Sequence, residues 1–347
     1  MLRRTRTASR VRLTMTESLL TTYDSLLFDL DGTVWEGGRL LPHAQKYLTT
    51  VSVPVMYITN NASRGPEVVA EMLTKLGVPT DERHVVTSAQ AAVEFAQQRL
   101  QPGDPVYVLG SESFKNLACH GGFRVVNSAD DNPKAVLHGH NPETGWAELS
   151  EAALSIRNGA YYFASNLDTT LPMERGLMVG NGSMVAAVTT ATGVTPLSAG
   201  KPEPAMFHSA AAKVQSTRPL AVGDRLNTDI AGGVAANMDT FHVLTGVSRH
   251  WALVHAEPTE RPTYIAEDLR GLDLPAAELA PHAQAGFTAQ RADDNTIVLT
   301  SGDTAGGGAV EALRTVLTVA WADPSVGFTG EIVPADAGAE RALAGWQ

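Results

Sequence analysis

Two carboxylates one residue apart, Asp29 and Asp31, close the apolar run Leu26-Leu27-Phe28 and are followed by Gly32 and Thr33. A carboxylate with an ordinary pKa near 4 is ionised at neutral pH, so Asp29 can attack phosphorus without an activating base. A second carboxyl within reach can protonate the leaving alcohol and then deprotonate the water that attacks the intermediate. Asp31 is placed for that task. Three further polar positions stand where apolar runs stop or beside them. Thr59 follows the run 53–58, Asp224 follows 219–222 with Asp229 soon after, and Lys201 lies between Gly200 and Pro202-Glu203-Pro204, a loop stiffened by its prolines. Asp29, Asp31, Asp224 and Asp229 form a set of hard oxygen donors with no His/Cys group at metal spacing, which suits Mg²⁺ rather than Zn²⁺. The cation relieves repulsion among the acids and can hold a phosphate oxygen. Lys201, the Thr59 hydroxyl and the backbone amides after Asp29 would complete a site for phosphoryl transfer, a reaction that needs positioning and charge neutralisation above all.

Each residue also has an ordinary reading: an Asp-Gly turn at Asp31, a helix cap at Asp229, a solvated charge at Lys201. Their joint arrival at the ends of apolar runs is what those readings leave unexplained. His138, His140 and His208 are scattered and receive no role, and Arg64 and Arg225 read as surface salt-bridge partners. A protein that binds a phosphorylated metabolite without turnover is a rival, but it would not need the second acid of the pair. A phosphomutase, passing the phosphoryl group back to substrate, is another.

For these residues to meet, their runs must be strands of one sheet, because open α/β sheets bind ligands beyond the carboxyl ends of their strands. Apolar residues at helical spacing over 40–51 and 66–76 alternate with the strands, which predicts a Rossmann-like, doubly wound parallel α/β sheet. Segments 219–222, 240–244 and 263–272 are expected to complete it. Residues 84–190 carry their own alternation, with strands at 106–109, 135–138 and 161–165, and interrupt the core after Thr59-Asn60-Asn61. They are expected to form an inserted α/β cap domain, leaving 21–83 and 191–278 as the core. Residues 1–20 hold Arg3, Arg4, Arg6, Arg10 and Arg12 without the apolar stretch of a secretory signal, so a disordered basic tail is expected, with Met15 as an alternative start. Residues 279–347 read as a small α+β appendage, with a strand at 295–300, glycines at 306–308, and a helix presenting Val310, Leu313, Leu317 and Ala320.

Composition narrows the class. A 44% hydrophobic, 18% charged chain of 347 residues has ample core for two domains, and no stretch approaches the ~18 apolar residues of a membrane span. The formal net charge of −11 argues against nucleic acid as partner. Cys119 is the single cysteine, which excludes an intrachain disulfide and favours the cytoplasm. The expected partner is a small phosphorylated metabolite, with neither nucleic acid nor membrane.

The order Asp29-Leu30-Asp31-Gly32-Thr33, Thr59, Lys201 and Gly223-Asp224 with Asp229 resembles the four motifs of the haloacid dehalogenase (HAD) superfamily phosphatases. That resemblance implies an aspartyl-phosphate mechanism with Mg²⁺ as cofactor. Asp29 would be nucleophile and metal ligand, Asp31 general acid/base with its backbone carbonyl on the metal, and Asp224 a metal ligand. Asp229 would support the metal shell through water, and Thr59, Asn60 and Lys201 would bind the phosphoryl group. The large insert is similar to the C2-type cap of the NagD-like, phosphoglycolate and pyridoxal phosphate phosphatases. In it Ala164-Ser165-Asn166-Leu167-Asp168 resembles a substrate-facing segment, which makes Asn166 and Asp168 candidate substrate contacts, with Ser165 departing from the usual threonine. Within that subgroup the chain is most similar to actinobacterial enzymes acting on glycerol 3-phosphate, which also carry an extra C-terminal piece. Here that piece weakly resembles part of an acetyltransferase fold. Residues 279–347 are too few for a full acyl-CoA site, so packing or a subunit contact in a homo-oligomer is the expected role.

Overall fold

Ser25–Phe28 is buried at all four positions, with Leu26 and Phe28 turned to one apolar core and Leu27 to another. That is why the run carries no polar face. In the computed structural model, which describes residues 18–173, 175–302 and 307–347, this strand lies inside a six-stranded parallel sheet. Its order is Tyr264–Ala266, Asp239–Val243, Pro219–Gly223, Ser25–Phe28, Val55–Thr59 and Val85–Thr87. A second, five-stranded parallel sheet runs Leu197–Ser198, Tyr161–Ala164, Ala135–His138, Pro105–Leu109 and Arg124–Val126. Leu27, Met56 and Ile58 of the first share one apolar cluster with Val106, Leu137 and Phe163 of the second and with Phe114 of the helix Glu112–His120. An antiparallel hairpin, Thr170–Met173 with Gly176–Val179, leaves the second unit.

Several expected elements move. The helix foreseen over 40–51 is Ala44–Thr50, because Gly37 and Gly38 take positive φ and fold Arg39–Leu40 back onto Trp35–Glu36. Val85–Thr87 belongs to the first sheet and Leu197–Ser198 to the second, so the chain leaves the first sheet after Thr87 and the second after Ser198, later than the expected 84 and 190. Strands this short leave almost no pattern in a sequence. Residues 1–17 of the expected basic tail lie outside the described residues. Within the expected tail, Leu19 is fully buried and donates its N–H to Leu274 O at 2.8 Å.

The C-terminal residues form their own layer, a sheet in the order Thr288–Asp293, Thr296–Thr300 and Glu331–Pro334 with helices Ala309–Ala320 and Ala337–Ala344. Gly306 of the glycine stretch lies outside the described residues. The apolar stripe of Ala309–Ala320 turns inward: Leu313, Val316 and Leu317 are fully buried in one cluster with Leu253, Val254 and Ile265 of the first unit. Arg314, also buried, donates from Nε and Nη2 to Ile265 O at 2.9 and 2.6 Å, satisfying the outer edge of the six-stranded sheet. The apolar stripe of this helix is thus packed against the first unit. Among the described residues no helix is long and apolar enough to cross a membrane. Leu313→Ala should lower stability by about 3 kcal/mol through lost burial and an unfilled cavity. Urea titration followed by circular dichroism measures it, and a loss under ~1 kcal/mol would mean the layer packs loosely.

Candidate active site

Asp29 and Asp224 directly follow Phe28 and Gly223, on neighbouring strands whose register pairs Phe28 with Val222. Sequence order reverses between these two strands, the point at which open α/β sheets hold ligands. Thr59 closes the strand on the other side of Ser25–Phe28. One oxygen from each of Asp29, Asp224 and Asp229 lies within 4.8 Å of the others. Lys201, 4% exposed, stands among them, its Nζ donating to Asp29 Oδ1 at 2.5 Å, Asp229 Oδ1 at 2.6 Å and Ile58 O at 3.1 Å. All three ammonium protons are thus engaged.

The local backbone explains how so many acids fit. Gly32 has φ +94°, and a Cβ there would lie 2.6 Å from Asp224 Oδ2. Gly246 comes closer still, since its Cβ would stand 1.9 Å from the same oxygen. Asp229 was expected at the start of a helix from Ile230. Instead it sits inside a wide π turn, Leu226–Ile230, in which Arg225 O accepts from both Asp229 N at 3.0 Å and Ile230 N at 3.2 Å. The turn aims the carboxylate back at Lys201, and Asp229 Oδ2 accepts from Arg225 N at 3.0 Å. Such turns recur at functional sites.

Asp224 is anchored at both oxygens, by Thr33 Oγ1 at 3.1 Å and by the Val247 amide at 2.6 Å. Asp31 Oδ1 accepts from Trp35 Nε1 at 2.9 Å. Sequence reasoning gave Thr33, Trp35 and Val247 no role. Thr33 at least stood in the motif; Trp35 arrives because the loop after Leu30 closes on itself, Leu30 O accepting from Val34 N at 2.9 Å and Trp35 N at 3.0 Å, and a backbone amide carries no residue signature.

The charges are unequal. Burial first and the Asp229 charge next push Asp29 well above the usual carboxylate range, against the pull of Lys201. Burial and Asp229 likewise push Asp224 up to about 7, with the Val247 and Thr33 bonds pulling back. Asp31 reaches solvent, yet the protein around it raises its carboxyl too, opposed by the Trp35 bond. Burial alone would lower Lys201, but the two carboxylates outweigh it and hold the ammonium charged. One ammonium cannot balance these acids, and an oxygen-only donor set of this closeness fits a hard divalent cation such as Mg²⁺.

The remaining expected residues lie on the seam between the two sheets. Asn60 Oδ1 accepts from Lys201 N at 2.8 Å, and its Nδ2 donates to Lys201 O at 3.1 Å and Asp168 Oδ2 at 3.0 Å. Asn166 Nδ2 donates to Asn60 O at 2.7 Å, while its Oδ1 accepts from Asp168 N at 3.2 Å. The amides of Asn60 and Asn166 therefore tie the insert to the core. Asp168 also faces Arg225 Nη1 at 3.9 Å. Thr59 Oγ1 accepts from Asn61 N at 3.0 Å, which leaves its O–H to donate outward. Replacing Lys201 with methionine would leave Asp29 and Asp229 facing each other without their shared cation. In metal-free protein it should cost about 3–5 kcal/mol of stability, read by urea unfolding in chelator; an unchanged midpoint would show the ion pairs to be weak.

Similarity to known proteins follows the same residues. One family model, for haloacid dehalogenase-like hydrolases, matches residues 26–124, and a HAD-hydrolase-like model matches 198–272. The D-glycerol 3-phosphate phosphatase of Mycobacterium tuberculosis is 41% identical over 335 residues, 95% of each chain. An acid sugar phosphatase of Staphylococcus saprophyticus is 36% identical over 252 residues, 71% of this chain and 95% of its own. The crystal structure of the mycobacterial glycerol phosphate phosphatase in complex with magnesium superposes with a TM-score of 0.89 at 40% identity, covering 95% of this chain and 99% of that one. The identity spans nearly the whole chain, and the two family models fall on the segments that carry Asp29, Thr59, Lys201 and Asp224: the chain belongs to the haloacid dehalogenase-like hydrolases.

Proposed function

We propose that this chain is a Mg²⁺-dependent phosphomonoesterase that hydrolyses glycerol 3-phosphate to glycerol and phosphate through a phosphoryl group carried on Asp29. The observation that carries the chemistry is the meeting of Asp29, Asp224 and Asp229 oxygens within 4.8 Å around one lysine. The choice of substrate is supported by the 41% identity to a D-glycerol 3-phosphate phosphatase over 95% of both chains. The cytoplasm is supported by the exposed, unpaired Cys119.

Asp29, Asp224 and the Asp31 carbonyl would hold Mg²⁺, with Asp229 behind them. The cation supplies positive charge that keeps the acids ionised and polarises a phosphate oxygen. Lys201 orients Asp29 by its bond to Oδ1, and with the Thr59 hydroxyl it offers charge and a donor to the phosphoryl oxygens. The Asp29 carboxylate attacks phosphorus as the bond to the glycerol oxygen breaks. Asp31, fixed at Oδ1 by Trp35, gives its proton to the departing oxygen. Once ionised, it takes a proton from water, which attacks the phosphorus, frees phosphate and restores Asp29. The unit built on the five-stranded sheet, whose strands run from Pro105 to Ser198, acts as the cap, and Asp168 with Arg225 stands at the seam where a small polyol would sit.

Purified protein should release phosphate from p-nitrophenyl phosphate with Mg²⁺ and lose that activity in chelator. In a panel of phosphorylated metabolites that includes phosphoglycolate and pyridoxal phosphate, glycerol 3-phosphate should give the highest kcat/KM; a different preferred substrate would move the assignment within the family. Asp29→Asn should abolish phosphate release and leave the circular dichroism spectrum unchanged. Near-normal turnover in that variant would refute the nucleophile.

A further inference from the structure

Asp224 and Asp229 are held from behind by a loop that the reaction does not use. Asp224 Oδ2 accepts from Val247 N at 2.6 Å, and its carbonyl accepts from Ser248 N at 3.1 Å. Ser248 Oγ accepts from Leu226 N at 3.1 Å, at the start of the turn that carries Asp229. Ser248 O lies 2.9 Å from His242 Nε2, which must be the protonated nitrogen because a carbonyl only accepts. Residues 246–248 thus contact both the Asp224 strand end and the Asp229 turn.

The C-terminal segment grips this loop in turn. Arg249 donates from Nε to Gly246 O at 3.2 Å and from Nη1 to Gln347 Oε1. The His250 ring stacks on Trp346 with centroids 5.9 Å apart and planes 15° from parallel, and Trp251 meets the same indole edge-on at 5.2 Å. Trp346 Nε1 donates to Ala309 O at 3.0 Å, at the first turn of the appendage's helix. Leu226 and Ile230, which flank Asp229, enter the apolar cluster that holds Leu313, Leu317 and Trp346. The staphylococcal acid sugar phosphatase is matched over 95% of its length by only 71% of this chain, so the family's chemistry does not require a chain this long.

We propose that the C-terminal segment, acting through Arg249 and the His250–Trp346 stack, clamps residues 246–248 and so sets how tightly the acidic site binds its divalent cation. This rests on the reading of that site as cation-binding. Arg249 and Trp346 touch no reacting atom and are positioning residues. The clamp has a distinctive sign. Removal of the Arg249 charge alone would strengthen cation binding, whereas release of the loop weakens it.

The test is calorimetric titration of metal-free protein with MgCl₂, alongside deuterium exchange of residues 244–250 without metal. Arg249→Ala and Trp346→Ala should each bind Mg²⁺ about tenfold more weakly, the size of effect seen when partners behind metal ligands are lost. Both should exchange faster over 244–250, while kcat at saturating Mg²⁺ stays within about twofold. Trp346→Phe keeps the stack and should restore binding. Should Trp346→Ala not fold, Arg249→Ala and Gln347→Ala decide the matter. Variants that bind Mg²⁺ as tightly as the parent, or more tightly, with unchanged exchange, overturn the clamp alone. A parent protein that binds no Mg²⁺ overturns the site reading and the clamp with it.

Discussion

A buried ammonium between two buried carboxylates is the constraint on which the rest of the structure depends. Taking Lys201, Asp29 and Asp229 out of water costs several kcal/mol per ion, recovered only when geometry is close and every proton has an acceptor. Contacts of 2.5 and 2.6 Å with a third bond to Ile58 O meet that condition. Much of the surrounding architecture serves it. The parallel strands deliver Asp29 and Asp224 side by side, the π turn swings Asp229 round, and glycines at 32, 223 and 246 clear the space that side chains would fill.

The same crowding makes the site reactive. Burial and mutual repulsion disfavour the ionised forms of Asp29 and Asp224, and a bound cation would favour those forms. Placing them at the strand ends keeps the resulting field at the mouth of the sheet, where a phosphate dianion must approach. An insert that shares an apolar cluster with the core brings a second wall to that mouth.

Much of this was legible in the sequence, for a physical reason. Strands buried on both faces leave uninterrupted apolar runs, and polar residues that end such runs stand out: Asp29, Thr59 and Asp224 did, and Lys201 was marked by its prolines. Edge strands such as Val85–Thr87 and Arg124–Val126 are too short for their alternation to register. The supports of the site were hidden for another reason. Val247 and Ser248 act largely through backbone groups, and Trp35 reaches Asp31 through the tight loop after Leu30, in which Gly32 takes positive φ and donates its N–H to Trp35 O. Asn60 and Asn166 were expected to contact substrate, and their type could not reveal that their amides are bonded within the protein.

Asn60 carries a consequence for how substrate enters and product leaves. Its side chain makes two bonds to the Lys201 backbone and one to Asp168 in the insert, and its carbonyl accepts from Asn166. Lifting the insert breaks the last two and spares the first two. The seam is therefore asymmetric: the half that carries Lys201 keeps its geometry while the half that carries Asn166 and Asp168 departs. Parting the seam separates Asp168 from Arg225 but leaves the Lys201 ion pairs with Asp29 and Asp229 whole.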